Sequence, residues 1–246
     1  MQHSISAVTR WMISLFSTKI YGIASERRIA RTMFAQITKE LRTHAPFTIF
    51  GAVTGIAIIA LFKSVPFGVS HSIFYVLHPM HVVLSALVTA SMYKLHSCKT
   101  INGNCIKGKC NLWPLLIIGY IGSIGIATLS DCIIPFLGEV MLGMPNRELH
   151  IGFIEKWWLV NPLAIIGVLI ACFRPSTKFP HAGHVLLSTW ASLFHVIMAI
   201  GDKQLPWYVY VAVFLFLFIA VWIPCCLSDI VFPLAFVKKL SHDAPS

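Results

Sequence analysis

The stretch HPMHVVLS, residues 78–85, sets two histidines three apart inside a long apolar run, and HAGHVLLS, residues 181–188, repeats the arrangement in the second half of the chain. Extended without gaps, HPMHVVLSALVTA (78–90) and HAGHVLLSTWASL (181–193) agree at both histidines and at a following Val, Leu and Ser. A second pair follows in the same order: LSDCIIPFL (129–137) and LSDIVFPLA (227–235) share Leu, Ser, Asp and Pro. The first histidine and the aspartate are 53 residues apart in one half and 48 in the other. More loosely, PFTIFG (46–51) parallels PLAIIG (162–167), and each leads to a Phe followed by a base, Phe62-Lys63 and Phe173-Arg174. Two motifs in matching order at similar separation read as one module written twice.

The medium in which the module sits follows from composition. Of 246 residues, 57% are hydrophobic and 11% charged, and the mean hydropathy is +0.78. A soluble domain carries about a quarter charged residues. Six stretches are long and apolar enough to cross a bilayer as helices: about 45–65, 69–95, 112–142, 158–174, 180–200 and 206–236. The bases then set an orientation. Fifteen of the 19 Lys and Arg fall in the N-terminal segment, the second and fourth loops and the tail, and only Lys63, Arg147, Lys156 and Lys203 fall on the other side. Positive residues stay cytoplasmic, which puts both termini inside and predicts an integral multi-pass protein of the cytoplasmic (cell inner) membrane. The net charge of +10 is then topology and attraction to anionic lipid. Bases scattered over four segments give no reason to expect a nucleic-acid partner.

Each module has three spans, an odd number, so the second enters the bilayer from the opposite side. The expectation is an all-α membrane protein, six transmembrane helices arranged as two inverted three-helix repeats, 45–143 and 144–246. Inverted repeats are an architecture of secondary transporters, with sites at the repeat interface and broken helices. Ahead of them, Val8, Trp11, Met12, Leu15 and Phe16 recur at helical spacing beside Arg10 and Lys19. Residues 1–44 therefore read as a cytoplasmic or interfacial segment with an amphipathic helix.

His78 and His81, and likewise His181 and His184, project from one helix face, with Ser85 and Ser188 four residues further on. Asp131 and Asp229 lie in apolar spans, where a carboxylate costs about 2.5–3.5 kcal/mol even on a lenient insertion scale and so faces the interior with partners. Imidazole and carboxylate together suit Mn²⁺, Fe²⁺, Co²⁺, Ni²⁺ or Zn²⁺. The candidate ligands for a divalent metal are thus His78, His81, Asp131, His181, His184 and Asp229. The competing reading is an Asp–His hydrogen bond that fastens helices. Pro135 and Pro233 cannot donate to the carbonyls of Asp131 and Asp229, so the LSDxxxP spans are expected to be discontinuous helices lining a path. Secondary candidates are Ser85, Ser188, Cys132, Cys226 and Glu139. The cysteines lie beside the aspartates, and Glu139 joins Glu148, His150 and Glu155 in an outer cluster that could concentrate cations. His195 reads as a core histidine. Cys98, Cys105 and Cys110, with His96, offer soft ligands in a loop on the reducing side, where a disulfide is not expected.

The run LHPMHVVLSALVTASM, with LSDCIIPFLGEVMLG and EKWWLVNPLAIIG, resembles a family of small polytopic proteins described as heavy-metal or manganese exporters. The resemblance covers roughly residues 70–240. It implies divalent-metal transport and carries over to His78, His81, Asp131, His181, His184 and Asp229 alone. Members of that family are thought to have more spans than the six counted here. Three functions are then in play. The first is a transporter or exporter of a divalent transition metal, with the ion as substrate and the bilayer as partner. The second is a membrane-embedded metal-dependent enzyme acting on a lipid or prenyl substrate; duplicated ligands speak against it, since an enzyme needs one asymmetric site with an open position. The third is a structural membrane protein. A homo-oligomer is allowed by the sequence but not required.

Overall fold

In lipid every backbone polar group must find its partner within the segment, so apolar runs of this length fold as helices. The structure, a computed structural model, describes Thr38 and residues 41–43, 45–61, 65–97, 100–101, 104–105, 112–176, 178–201, 205–226, 232–233 and 236. Helix α1 spans Leu41–Leu61 and α2 spans Phe67–Ser97. After them, Thr100–Ile101 (β1) and Asn104–Cys105 (β2) form a short antiparallel pair. Helix α3, Leu112–Thr128, runs through a π-helical turn, Leu129–Ile133, into α4, Ile134–Met141. A single turn, α5 (Gly152–Glu155), precedes α6 (Trp157–Phe173), followed by α7 (Lys178–Ile200) and α8 (Trp207–Cys226).

Five of these helices are long and apolar enough to cross a membrane, counting α3 to α4 as one rod from Leu112 to Met141. The expected fourth span is shorter, the 17 residues of α6. Lys156, at φ −120° and ψ 46°, breaks the helix between α5 and α6. The amphipathic helix expected within 1–44 lies outside the described residues, apart from Thr38 and 41–43. So does the expected break at 227–231 in the last span.

Within the compact unit Glu40–Ser246, α2 is the central post. It packs most extensively on α7, then on α6 and α3. Small residues set these approaches: a Cβ on Gly167 would meet the Val83 carbonyl at 2.4 Å, and one on Gly119 would meet Ala90 Cβ at 3.0 Å. Close backbone approach at small residues is how helices associate where lipid offers no hydrophobic drive. Apolar side chains such as Ile117, Ile121, Leu215, Ile219 and Ile223 stay exposed on α3 and α8, as expected of lipid-facing surfaces.

The π-helical turn sits on LSDCI, where Pro135 predicts a missing donor. The rod is not unwound there; one extra residue is accommodated, and the Ile134 N–H reaches the Leu129 carbonyl. The register shift moves the orphaned acceptor from Asp131 to Ser130, five residues before Pro135. The Ser192 hydroxyl of α7 donates to the Ser130 carbonyl at 2.9 Å and fills the gap. A π-turn inside an α-helix is a frequent companion of functional sites, and here it carries Asp131.

Candidate metal centre

His184, Ser188, Ser192 and His195 of α7 follow one another at steps of four, four and three, which keep one face. That face meets α2, so the two HxxHVxLS motifs lie against each other. His81 and His184 stack with ring centroids 5.8 Å apart and planes 8° from parallel. Both are fully buried.

Asp131 enters from the π-helical turn. Its Oδ2 accepts from His78 Nδ1 at 2.9 Å and from His81 Nδ1 at 2.7 Å. Its Oδ1 accepts from the Ser130 and Ser188 hydroxyls, each at 2.7 Å. Four hydrogen bonds occupy the carboxylate, so in this arrangement Asp131 orients histidines rather than presenting an open lone pair. With Nδ1–H donated to Asp131, each imidazole keeps its Nε2 lone pair. The His81 Nε2 is buried without a hydrogen-bond partner. A histidine fixed at Nδ1 by a carboxylate and open at Nε2 is the usual form of a metal-ligating imidazole.

Cys225 of α8 joins the candidate centre. Ligand atoms of His81, His184 and Cys225 lie within 4.8 Å of one another, and all three residues are buried. Small contractions bring such atoms to the about 2.0–2.3 Å that nitrogen and sulfur take around zinc. Charge complementarity supports the fit. Among the described residues no Lys or Arg pairs with Asp131; its ion-pair partners are His78 and His81. A divalent cation at His81, His184 and a Cys225 thiolate would neutralise that carboxylate and thiolate together, where an uncompensated buried charge costs several kcal/mol.

The other expected residues fall around this centre. His78 stacks on Phe74 at 5.3 Å, and its Nε2 edge lies against Gly152, where a Cβ would sit 2.5 Å away. His181 packs edge-on to His184 at 5.4 Å but is not in the three-residue group. Ser85 is fully buried, and its hydroxyl finds no partner. Cys132 is buried in the apolar core and outside the ligand group. Asp229 and the side chain of Cys226 lie outside the described residues. Of the loop cysteines, Cys98 and Cys110 are also outside them. Glu139 is away from the ligand group, fully buried against His195, with Oε1 to Nδ1 at 2.7 Å. Residues that the sequence pattern did not single out include Cys225, Ser130, Ser192, Gly152 and the His195 pairing. A CC pair on an apolar helix (225–226) signals only that one thiol faces inward.

Comparison with protein-family models, with curated proteins and with solved structures finds no match for this chain.

Proposed function

We infer that the protein moves a divalent transition-metal cation across a membrane, taking the ion between α2 and α7 at His81, His184 and Cys225. The observation that carries this reading is the facing of the two motif histidines around a buried site whose Asp131 pairs with histidines and, among the described residues, with no Lys or Arg. The pairing of α2 with α7 is what a twofold relation between inverted halves would produce. On that relation Asp229 plays for the second half the part Asp131 plays for the first, and His78 and His181 occupy equivalent flanking positions. Resemblance of LHPMHVVLSALVTASM to metal exporters points the same way. Placement in the cytoplasmic membrane with both termini inside rests on the distribution of bases.

The donor set narrows the cargo. Two imidazoles and a thiolate favour Zn²⁺ among the expected ions, with Fe²⁺, Co²⁺ and Ni²⁺ behind it and oxygen-preferring Mn²⁺ last. One observation favours the enzyme reading instead. Cys225 breaks the repeat, because the position two residues before LSD in the first half is Ala127. Three protein ligands with a fourth position open is the pattern of catalytic zinc.

Elemental analysis of purified protein, followed by flux into proteoliposomes, tests the proposal. Zinc is expected in wild type and lost in His81→Ala and Cys225→Ala. Zinc should then cross the bilayer in wild type alone. Bound zinc without flux, together with turnover of an added lipid, would move the assignment to an enzyme. Absence of metal from wild type after zinc loading would end both.

A further inference from the structure

A second buried polar group lies at the end of the bundle that carries the 142–151 connection, separate from the metal centre. Glu139 of α4 and His195 of α7 are 0% and 1% exposed, and Oε1 meets Nδ1 at 2.7 Å. The other carboxyl oxygen, Oε2, is buried with no hydrogen-bond partner. Among the described residues no Lys or Arg pairs with Glu139; its ion-pair partner is His195. A carboxylate and an imidazole so placed carry no net charge out of water only when they share one proton between them, and a buried net charge is costly.

His150 lies between this pair and the partly exposed carboxylates of Glu148 and Glu155. The His195 Nε2 accepts the His150 backbone N–H at 3.5 Å, and the His150 ring stands 5.6 Å from the His195 ring, centroid to centroid. His150 Nδ1 lies 3.4 Å from Glu155 Oε2, its Nε2 lies 3.9 Å from Glu148 Oε2, and these carboxylates are 38% and 69% exposed. From α2, His71 and Tyr75 face the same cluster, and Lys156 lies over the Tyr75 ring at 5.3 Å. From α8 the neighbour of α4 at Gly138 is the apolar Phe216. Phe74 stands between the two sites, its ring 5.5 Å from His195 and 5.3 Å from His78.

We propose that Glu139 and His195 form a one-proton binding site, fed through His150, that couples movement of the metal cation to movement of a proton. The coupling part rests on the transport reading above; the proton site does not. The step is an addition of H⁺ from water to the Glu139–His195 pair and its return, with no bond to carbon made or broken. Phe74 keeps this proton from exchanging directly with the metal centre, so the two loads are carried at separate places and linked through α7, which bears both His184 and His195.

The test uses full-length protein with zinc as the probe. Purified wild type, Glu139→Gln and His195→Gln are compared for zinc content, for zinc flux with a pH-sensitive dye inside the liposomes, and for a titrating carboxyl band in pH-difference infrared spectra. Glu139→Gln should keep the zinc content of wild type, lose the dye signal that accompanies flux, and lose the carboxyl band; His195→Gln should shift that band's midpoint. A variant that still moves protons with zinc as wild type does would overturn the coupling. An unchanged carboxyl band in Glu139→Gln would overturn the proton site itself, and that readout stands even if wild type carries no zinc. His150→Phe, at the partly exposed end, guards against misfolding of the buried variants: it should slow the dye signal without changing zinc content, and an unaltered rate would remove His150 from the route.

Discussion

His81 of α2 and His184 of α7 lie face to face, 5.8 Å between centroids and 8° from parallel, although they are 103 positions apart in the chain. Each is the second histidine of its motif, so the contact joins equivalent points of the two halves. Only His81 also leans on Asp131. The two imidazoles are therefore alike in position and unlike in support, and Asp131 is the group whose removal should separate them. Asp131→Asn keeps the shape, yet its amide can offer only one acceptor oxygen to the four donors now present. Loss of a carboxylate behind a ligating histidine costs about 10–100-fold in metal affinity. We expect a zinc dissociation constant raised by that factor with the helical content unchanged, as measured by competition with a chromogenic chelator and by circular dichroism.

The π-helical turn makes a separate prediction. Ser192 donates to the one carbonyl that Pro135 strands, and its hydroxyl also lies 2.8 Å from the Ser188 carbonyl. In Ser192→Ala the Ser130 carbonyl is left buried without a donor, which costs about 1–3 kcal/mol. Thermal unfolding in detergent should show the loss. Pro135→Ala restores an N–H to the rod, so the double variant should recover part of it. A double variant no more stable than Ser192→Ala would mean that Pro135 and Ser192 are not linked through the Ser130 carbonyl.

The candidate metal centre and the π-turn differ in how far the sequence exposes them. Helices long and apolar enough to span a membrane were legible because hydropathy and length are one-dimensional properties. The approach of His78 and His81 to Asp131 was legible in outline, because a carboxylate in an apolar span needs partners and the motif histidines share a face; that Ser188 of the other motif also reaches Asp131 was not. The π-turn was not. Pro135 announces a missing donor, but whether the chain unwinds or absorbs one extra residue depends on Ser192, 57 residues further on, standing ready to donate. Cys225 was hidden for a related reason. Neighbouring helix positions point about 100° apart, and only the packing of α8 decides which of Cys225 and Cys226 turns inward. Glu139 and His195 have no counterparts in the other half, so the repeat that revealed the first site was silent about the second.

Gly152 touches the centre from outside both motifs, and a variant there separates His78 from His81. A Cβ at this position would lie 2.5 Å from His78 Nε2 and Cδ2. The ring cannot retreat freely, since Phe74 stacks on it and Asp131 holds its Nδ1. Forcing a methyl into such a contact costs about 1–3 kcal/mol. Gly152→Ala should therefore lower the melting temperature. It should weaken zinc binding less than Asp131→Asn does, because His78 is displaced while His81 keeps its carboxylate. Equal losses of affinity in the two variants would mean that His78 itself holds the ion.

Acid should loosen the same end of the bundle through Glu155. Partial burial alone would raise its carboxyl above the ordinary range, but the Tyr75 hydroxyl, the Ile151 N–H at 3.0 Å and nearby His150 favour the ionised form and hold it lower. A carboxyl with a lower pKa folded than unfolded binds fewer protons in the native state, so it adds stability above the ordinary glutamate range of about 4.3 and loses it as pH falls through the folded value. Wild type should accordingly lose melting temperature more steeply than Glu155→Gln as pH falls from about 5 through 4 and below, because the glutamine side chain has no charge to lose. Because Glu155 is partly exposed, the difference should be modest and should shrink in high salt. Parallel melting curves for the two proteins across that range, at low salt, would show that the contacts of Tyr75, Ile151 and His150 with Glu155 contribute nothing to the stability of the fold.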